Sequence, residues 1–192
     1  MKLYHATPIS NLASILEYGL KSSFHARNGT VDYKPAGPSV YLSRHEASSN
    51  LVTSIFCAPN DPVIVLEIDA DQLDPDKMYP DDCIGAILER FWVDDDEQTG
   101  QPEKESFDDS ATEFAKHFGM SVEKARDILM RTGTAQEDEI PEIVKCMTQE
   151  YMNTEGEIAY LGDVPPTCIL GWSYHPHNAN ESLAHTTMGP TM

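Results

Sequence analysis

The stretch Asp61–Asp69 (DPVIVLEID) constrains the fold of this chain more than any other. Val63, Ile64, Val65, Leu66 and Ile68 fall on both parities of an extended strand, so neither face of that strand can be left to water. A chain carrying such a strand must place it inside a sheet and cover both sides. Two shorter strand signals precede it, at residues 1–6 (MKLYHA) and Ser39–Ser43 (SVYLS). Two more close the ordered sequence, at 156–161 (GEIAYL) and 167–173 (TCILGWS), joined by GDVPP.

Helical periodicity fills the intervals. Ile9, Leu12, Ile15, Leu16 and Leu20 form one stripe after Pro8 and Ser10, and Gly19 is placed to end that helix. A second helix is expected over 45–56, with Ala47, Leu51, Val52 and Ile55 on one face. From residue 84 the pattern becomes helical throughout: Ile84, Ile87, Leu88 and Phe91, then two helices at 111–118 and 121–131 with Ser121 as N-cap, then Ile140, Ile143, Val144, Met147 and Tyr151. The acidic stretch 94–110 reads as a solvated linker, residues 21–38 as a long loop, and 174–192 as a frayed polar tail. The expected architecture is α+β: a single domain over 1–173, with a helical, acidic insertion at about 84–151.

Charge narrows the partners. The 192 residues hold 32 acidic and 13 basic side chains, a formal balance of −19, and such a surface repels nucleic-acid phosphate. The distribution is uneven. Residues 1–44 carry five bases (Lys2, Lys21, Arg27, Lys34, Arg44) against two acids (Glu17, Asp32), whereas 84–150 carry 17 acids against 7 bases. The N-terminal part can therefore receive an anionic ligand that the middle of the chain would reject. No apolar run approaches the roughly 18–20 residues of a membrane span, and MKLYHATPIS lacks a signal-peptide core, so a soluble cytoplasmic protein is expected. Cys57, Cys83, Cys146 and Cys168 are spread without zinc spacing and are expected to be reduced thiols. His175, His177 and His185 belong to the polar tail and are expected to be surface histidines, not metal ligands.

Three polar features on separate strands could carry chemistry. His5 lies in Tyr4-His5-Ala6-Thr7 and can hydrogen-bond a ligand hydroxyl. Tyr41 shares a strand face with Ser43 and offers a stacking surface for a planar ring. Glu155 and Glu157 flank Gly156 and, read as the start of a strand, project from one face; a carboxylate there can stabilise positive charge developing on a sugar. Read singly, each is more simply an ordinary side chain: a half-exposed histidine, a core or edge tyrosine, two solvated glutamates.

Taken together, YHAT, the helix NLASILEYGL, VYLS, VIVLEID and the closing GEIAYLGDVPPTCILGW resemble the ADP-ribosyltransferase fold. The likeness is to its His–Tyr–Glu branch, shared by diphtheria-like toxins, poly-ADP-ribosyl polymerases and RNA 2′-phosphotransferases. It covers roughly residues 1–70 and 154–173 and implies a split β-sheet core. It also implies NAD⁺ as the bound dinucleotide and a macromolecular acceptor, protein in preference to nucleic acid. His5 would hold the adenosine-side ribose, Ala6 would grip the carboxamide through its backbone, and Thr7 and Ser43 would flank the dinucleotide. Tyr41 would stack on nicotinamide, and Glu157 would hold the nicotinamide-ribose 2′-hydroxyl and stabilise the oxocarbenium-like transition state. Arg27 and Lys34 would meet the pyrophosphate, and Glu155, similar to the first of the paired glutamates in arginine-modifying members, would orient the acceptor.

The resemblance has departures. Several relatives carry a second aromatic after the triad tyrosine, where this chain has Val52; Phe24 or Tyr33 would have to close that side. The arginine-modifying members carry Arg where this chain has His5, and the Arg/His set of the RNA 2′-phosphotransferases is incomplete. An NAD⁺ glycohydrolase or an RNA 2′-phosphotransferase on the same scaffold, and an inactive acidic binding or inhibitor protein, are the competing readings. Toxin, phage effector and housekeeping modifier are all compatible roles. Residues 115–128 also resemble a helix-turn-helix, with Gly119 in the turn and Lys116, Lys124, Arg126 and Arg131 supplying positive charge. The plainer reading is an ordinary helical hairpin capping the domain; the flanking acids make a DNA reader the poorer alternative and partner recognition the better one.

Overall fold

The computed structural model describes residues 1–22, 37–46, 62–92 and 104–175. The chain is mixed α and β and divides into two compact units. Among the described residues, the first unit comprises 1–22, 38–46, 62–78 and 156–175, and the second comprises Gly37, 79–92 and 104–155. The expected insertion at 84–151 falls within the second unit. Arg27, Lys34, Phe24, Tyr33, Val52, Cys57, His177, His185 and all but the start of the expected 45–56 helix lie outside the described residues.

The first unit is built on antiparallel strands β1 (Lys2–Pro8), β2 (Ser39–Ser43), β3 (Val63–Asp69), β5 (Glu157–Leu161) and β6 (Ile169–His175). With the short β4 (Met78–Pro80), which begins on the last residue of this unit, they make a six-stranded sheet in the order β4-β5-β2-β1-β3-β6. β3 lies between β1 and β6, and Val63, Ile64, Val65, Leu66 and Ile68 are all buried, as their continuous apolar run requires. Removing each of these side chains from water contributes on the order of 1.5–3 kcal/mol. The one charged residue inside the run, Glu67, accepts from Lys2 Nζ at 2.6 Å on the neighbouring strand. β6 continues to His175, two residues past the end read from sequence.

A 3₁₀ turn (Ile9–Asn11) leads into α1 (Leu12–Tyr18), and Gly19 ends it with φ of 78°. The stripe read from sequence is only partly buried. Ile15 and Leu20 are inside, but Leu16 is 51% exposed, because consecutive helix residues point about 100° apart and this two-turn helix presents a narrow face. After Gly19 the chain is clamped by paired main-chain bonds between Leu20 and Val164, each 2.9 Å, and by Asp163, which accepts from Lys21 Nζ at 2.8 Å and from the Ser22 N–H at 2.9 Å.

The second unit holds α2 (Cys83–Glu89), α3 (Lys104–Phe118), α4 (Val122–Thr134), α5 (Ile140–Val144) and α6 (Thr148–Thr154). Their apolar stripes meet in one cluster that includes Ile84, Leu88, Phe114, Phe118, Ile128, Val144, Met147 and Tyr151. α3 starts at Lys104, so the end of the stretch read as a linker is helical; Phe107 and Ala111 extend the Phe114/Phe118 stripe backwards and pack on the cluster. The helix expected over 140–151 is interrupted by a 3₁₀ turn at Lys145–Met147, though its stripe stays buried. Ser121 caps α4 as read, accepting from the Lys124 N–H at 3.2 Å. The basic residues of the helix-turn-helix pattern are largely neutralised: Lys124 bonds Glu150 (2.7 Å), Arg126 bonds Asp108 (2.8 Å) and Arg131 approaches Asp127 (3.4 Å). Among the described residues no helix is long and apolar enough to cross a membrane.

Two outcomes test the Leu20–Val164 corner. A Cβ on Gly19 would lie 2.1 Å from the Val164 carbonyl oxygen, in a backbone region open essentially to glycine alone. Gly19→Ala should therefore cost about 1–3 kcal/mol or more in urea unfolding. The bonds from Lys21 and Ser22 hold the Asp163 carboxyl below its ordinary 3.8, at about 2. The clip's contribution is complete above pH 3.8 and is lost as pH falls through about 2. An NMR titration should find that low value, and Lys21→Ala should raise it.

Candidate functional site

The site rests on an incomplete ladder. β1 pairs with β3 along its whole length, from Lys2↔Asp69 to Pro8↔Val63, and β2 pairs with β5 from Ser39↔Leu161 to Ser43↔Glu157. Between β1 and β2, by contrast, the register contains the single pair Tyr4↔Ser43. Backbone groups facing such a gap must be satisfied by something other than the ladder. His5 does this for Tyr41: its Nδ1 bonds the Tyr41 carbonyl oxygen at 2.9 Å. A carbonyl only accepts, so Nδ1 donates, and in the neutral ring Nε2 is then an acceptor.

Strand pairing also decides which side chains share a face. Directly opposed residues of an antiparallel pair project to the same side. Tyr41↔Ala159 and Ser43↔Glu157 therefore put Tyr41, Ser43 and Glu157 on one face, with Tyr4 and, by alternation, Ala6. His5 and Thr7 belong to the opposite face by the same alternation, and His5 reaches Tyr41 through its main chain rather than its ring. Tyr41 and Glu157 are half-buried, and the Tyr41 hydroxyl oxygen is buried. The Thr7 hydroxyl accepts from Asn11 Nδ2 at 3.1 Å, joining β1 to the turn that follows it. Ser43 is fully buried, and its hydroxyl serves the turn leaving β2.

Glu155 does not stand beside Glu157 at the start of a strand. It is helical (φ −86°, ψ −28°), it ends α6, and its N–H donates to the Tyr151 carbonyl at 2.8 Å. Gly156 then turns left-handed (φ 78°), and β5 starts at Glu157. The two-residue alternation that would align the glutamates does not apply across a helix terminus. The Glu155 carboxylate instead bonds His117 Nε2 at 2.7 Å, within the helical unit. Within that unit, too, the Tyr151 hydroxyl donates to the buried Asp81 carboxylate, and burial followed by the Asp81 charge pushes the Tyr151 hydroxyl far above its ordinary value. Arg27 and Lys34 lie outside the described residues.

Sequence reading missed His45. It follows β2, its N–H and carbonyl both bond the Ser43 hydroxyl, and its ring packs on Gly156. No periodicity marks this contact, which exists because strand pairing brings Gly156 beside the end of β2.

No protein-family model, curated protein or solved structure matches the chain.

The His5 bond makes a prediction independent of function. His5→Phe keeps a ring of similar size but removes the Nδ1–H donated to the Tyr41 carbonyl. It should cost about 1–3 kcal/mol in thermal or urea unfolding.

Proposed function

We propose that this chain is an NAD⁺-dependent ADP-ribosyltransferase that cleaves the nicotinamide–ribose bond and passes ADP-ribose to a macromolecular acceptor, protein in preference to nucleic acid. One observation carries the reading. His5, Tyr41 and Glu157 stand on three consecutive strands of the sheet, β1, β2 and β5, and the ladder between β1 and β2 stops after one pair. What supports the reading is that these residues, which the resemblance in sequence assigns to the dinucleotide, lie on neighbouring strands, with Tyr41 and Glu157 on one face of the sheet.

The chemistry follows from charge. As the glycosidic bond lengthens, its electron pair moves to the nicotinamide nitrogen and the ribose C1′ becomes cationic. The Glu157 carboxylate bonds the adjacent 2′-hydroxyl and stabilises that charge, an effect stronger in a half-buried site than in water. The Tyr41 ring stacks on the planar nicotinamide and holds it for departure. His5 projects from the other face, and its part in this reading is to hold the Tyr41 main chain in place from there. The formal charge of −19 disfavours a nucleic-acid acceptor and favours a basic protein surface.

Incubation with NAD⁺ should release nicotinamide. Glu157→Gln keeps the size and polarity of the side chain but removes its charge, and should slow release about 10²–10³-fold with the melting temperature preserved. A Glu157→Gln protein as active as the parent would remove Glu157 from the mechanism. A parent that neither releases nicotinamide nor gains thermal stability with millimolar NAD⁺ would favour the inactive binding protein instead.

A further inference from the structure

β6 ends the sheet on its side. In the order β4-β5-β2-β1-β3-β6 it pairs with β3 and, among the described residues, with no strand beyond. Alternate residues of such a strand turn their N–H and C=O away from the sheet, where another extended chain can bond them. Natural edges are blunted by charge, proline or a bulge. Here the bulge lies at Leu170, where the register shifts between Glu67 and Ile68, and from Gly171 to His175 the pairing with β3 runs without a break. Gly171, Trp172, Ser173 and Tyr174 carry no charge, and the next proline is Pro176. The two faces of this edge differ. Trp172 and Tyr174 lie opposite Leu66 and Ile64, with their rings edge to face at 5.2 Å, and Tyr174 is 51% exposed. On the other face Gly171 has no side chain, and the Ser173 hydroxyl donates to a Glu46 carboxylate oxygen at 3.4 Å. A strand laid along β6 therefore meets an aromatic surface and an acidic one by turns.

We propose that the outer edge of β6 receives an extended segment of a partner protein in which apolar and basic residues alternate. Main-chain bonds to the edge supply the pairing, apolar side chains cover Trp172 and Tyr174, and Lys or Arg side chains face Glu46. Alternation is required because successive residues of the added strand point to opposite faces. Charge selects this occupant over a second copy of the chain. Two chains of formal charge −19 repel, and each brings its own Glu46 to the joint, whereas a basic segment meets opposite charge. The edge acts through its own groups, so this role does not depend on the chemistry proposed for Glu157.

The test uses the full chain and two labelled peptides of identical composition. In one, Lys and Val alternate; in the other they form separate blocks. Fluorescence anisotropy should show the alternating peptide bound about tenfold more tightly or better. Ser173→Lys and Tyr174→Lys each place a cation on one face of the edge, and each should weaken that binding about tenfold or more, with melting temperatures close to the parent's. Absence of binding, equal affinity for the two peptides, or Lys variants that bind as the parent does would overturn the proposal, the last two because charge alone would then account for the association. A parent that light scattering finds dimeric, and that either Lys substitution returns to monomer, would overturn it in favour of a second copy at the edge.

Discussion

The constraint on which the candidate site depends is that backbone polar groups inside a folded chain must find partners. Along most of the first unit the sheet supplies them, strand by strand. Between β1 and β2 it does so at one pair, and side chains take over: an imidazole holds the Tyr41 carbonyl, and a serine hydroxyl holds the turn after β2. Polar residues are thereby retained in a region where an uninterrupted sheet would favour apolar ones.

The helical unit solves a different problem. It carries much of the negative charge, and its ordering comes from an aromatic and aliphatic cluster, with Phe91 packed edge-on to Phe114 (5.2 Å) and Phe118 against Tyr151 (6.0 Å). Ion pairs on its surface absorb Lys124, Arg126 and Arg131, and little positive field remains for a phosphate backbone. Surface pairs of this kind are individually worth little to stability, so their consequence lies in which partners the helices can attract.

Much of this was legible in advance, and for identifiable reasons. β3 announced itself because five apolar residues in a short run permit no exposed face. α4 did so because Ser121 stands directly before an amphipathic stripe, and α1 because Gly19 follows one. The misreadings share a cause. Periodicity puts Leu16 in the buried stripe, yet it lies exposed, because helical spacing says which residues share a stripe but not how wide a face is covered. Alternation in the sequence aligns Glu155 with Glu157, and it carries no sign that a left-handed glycine separates a helix from a strand there. The first turns of α3 read as a linker from their acidic composition, and only the cluster that Phe107 joins makes them helical.

The order of residues alone determined the elements: where strands and helices form, that both faces of β3 are covered, and that His5, Tyr41 and Glu157 are polar interruptions in strands. These follow from local periodicity, capping and charge, which operate over a few neighbouring residues. The tertiary structure alone decided that β1 and β2 share one pair, that His5 reaches Tyr41 through its main chain, and that His45 rests on Gly156. Those contacts join residues 36 or more positions apart, and their geometry is set by strand register, which pattern along the chain does not encode.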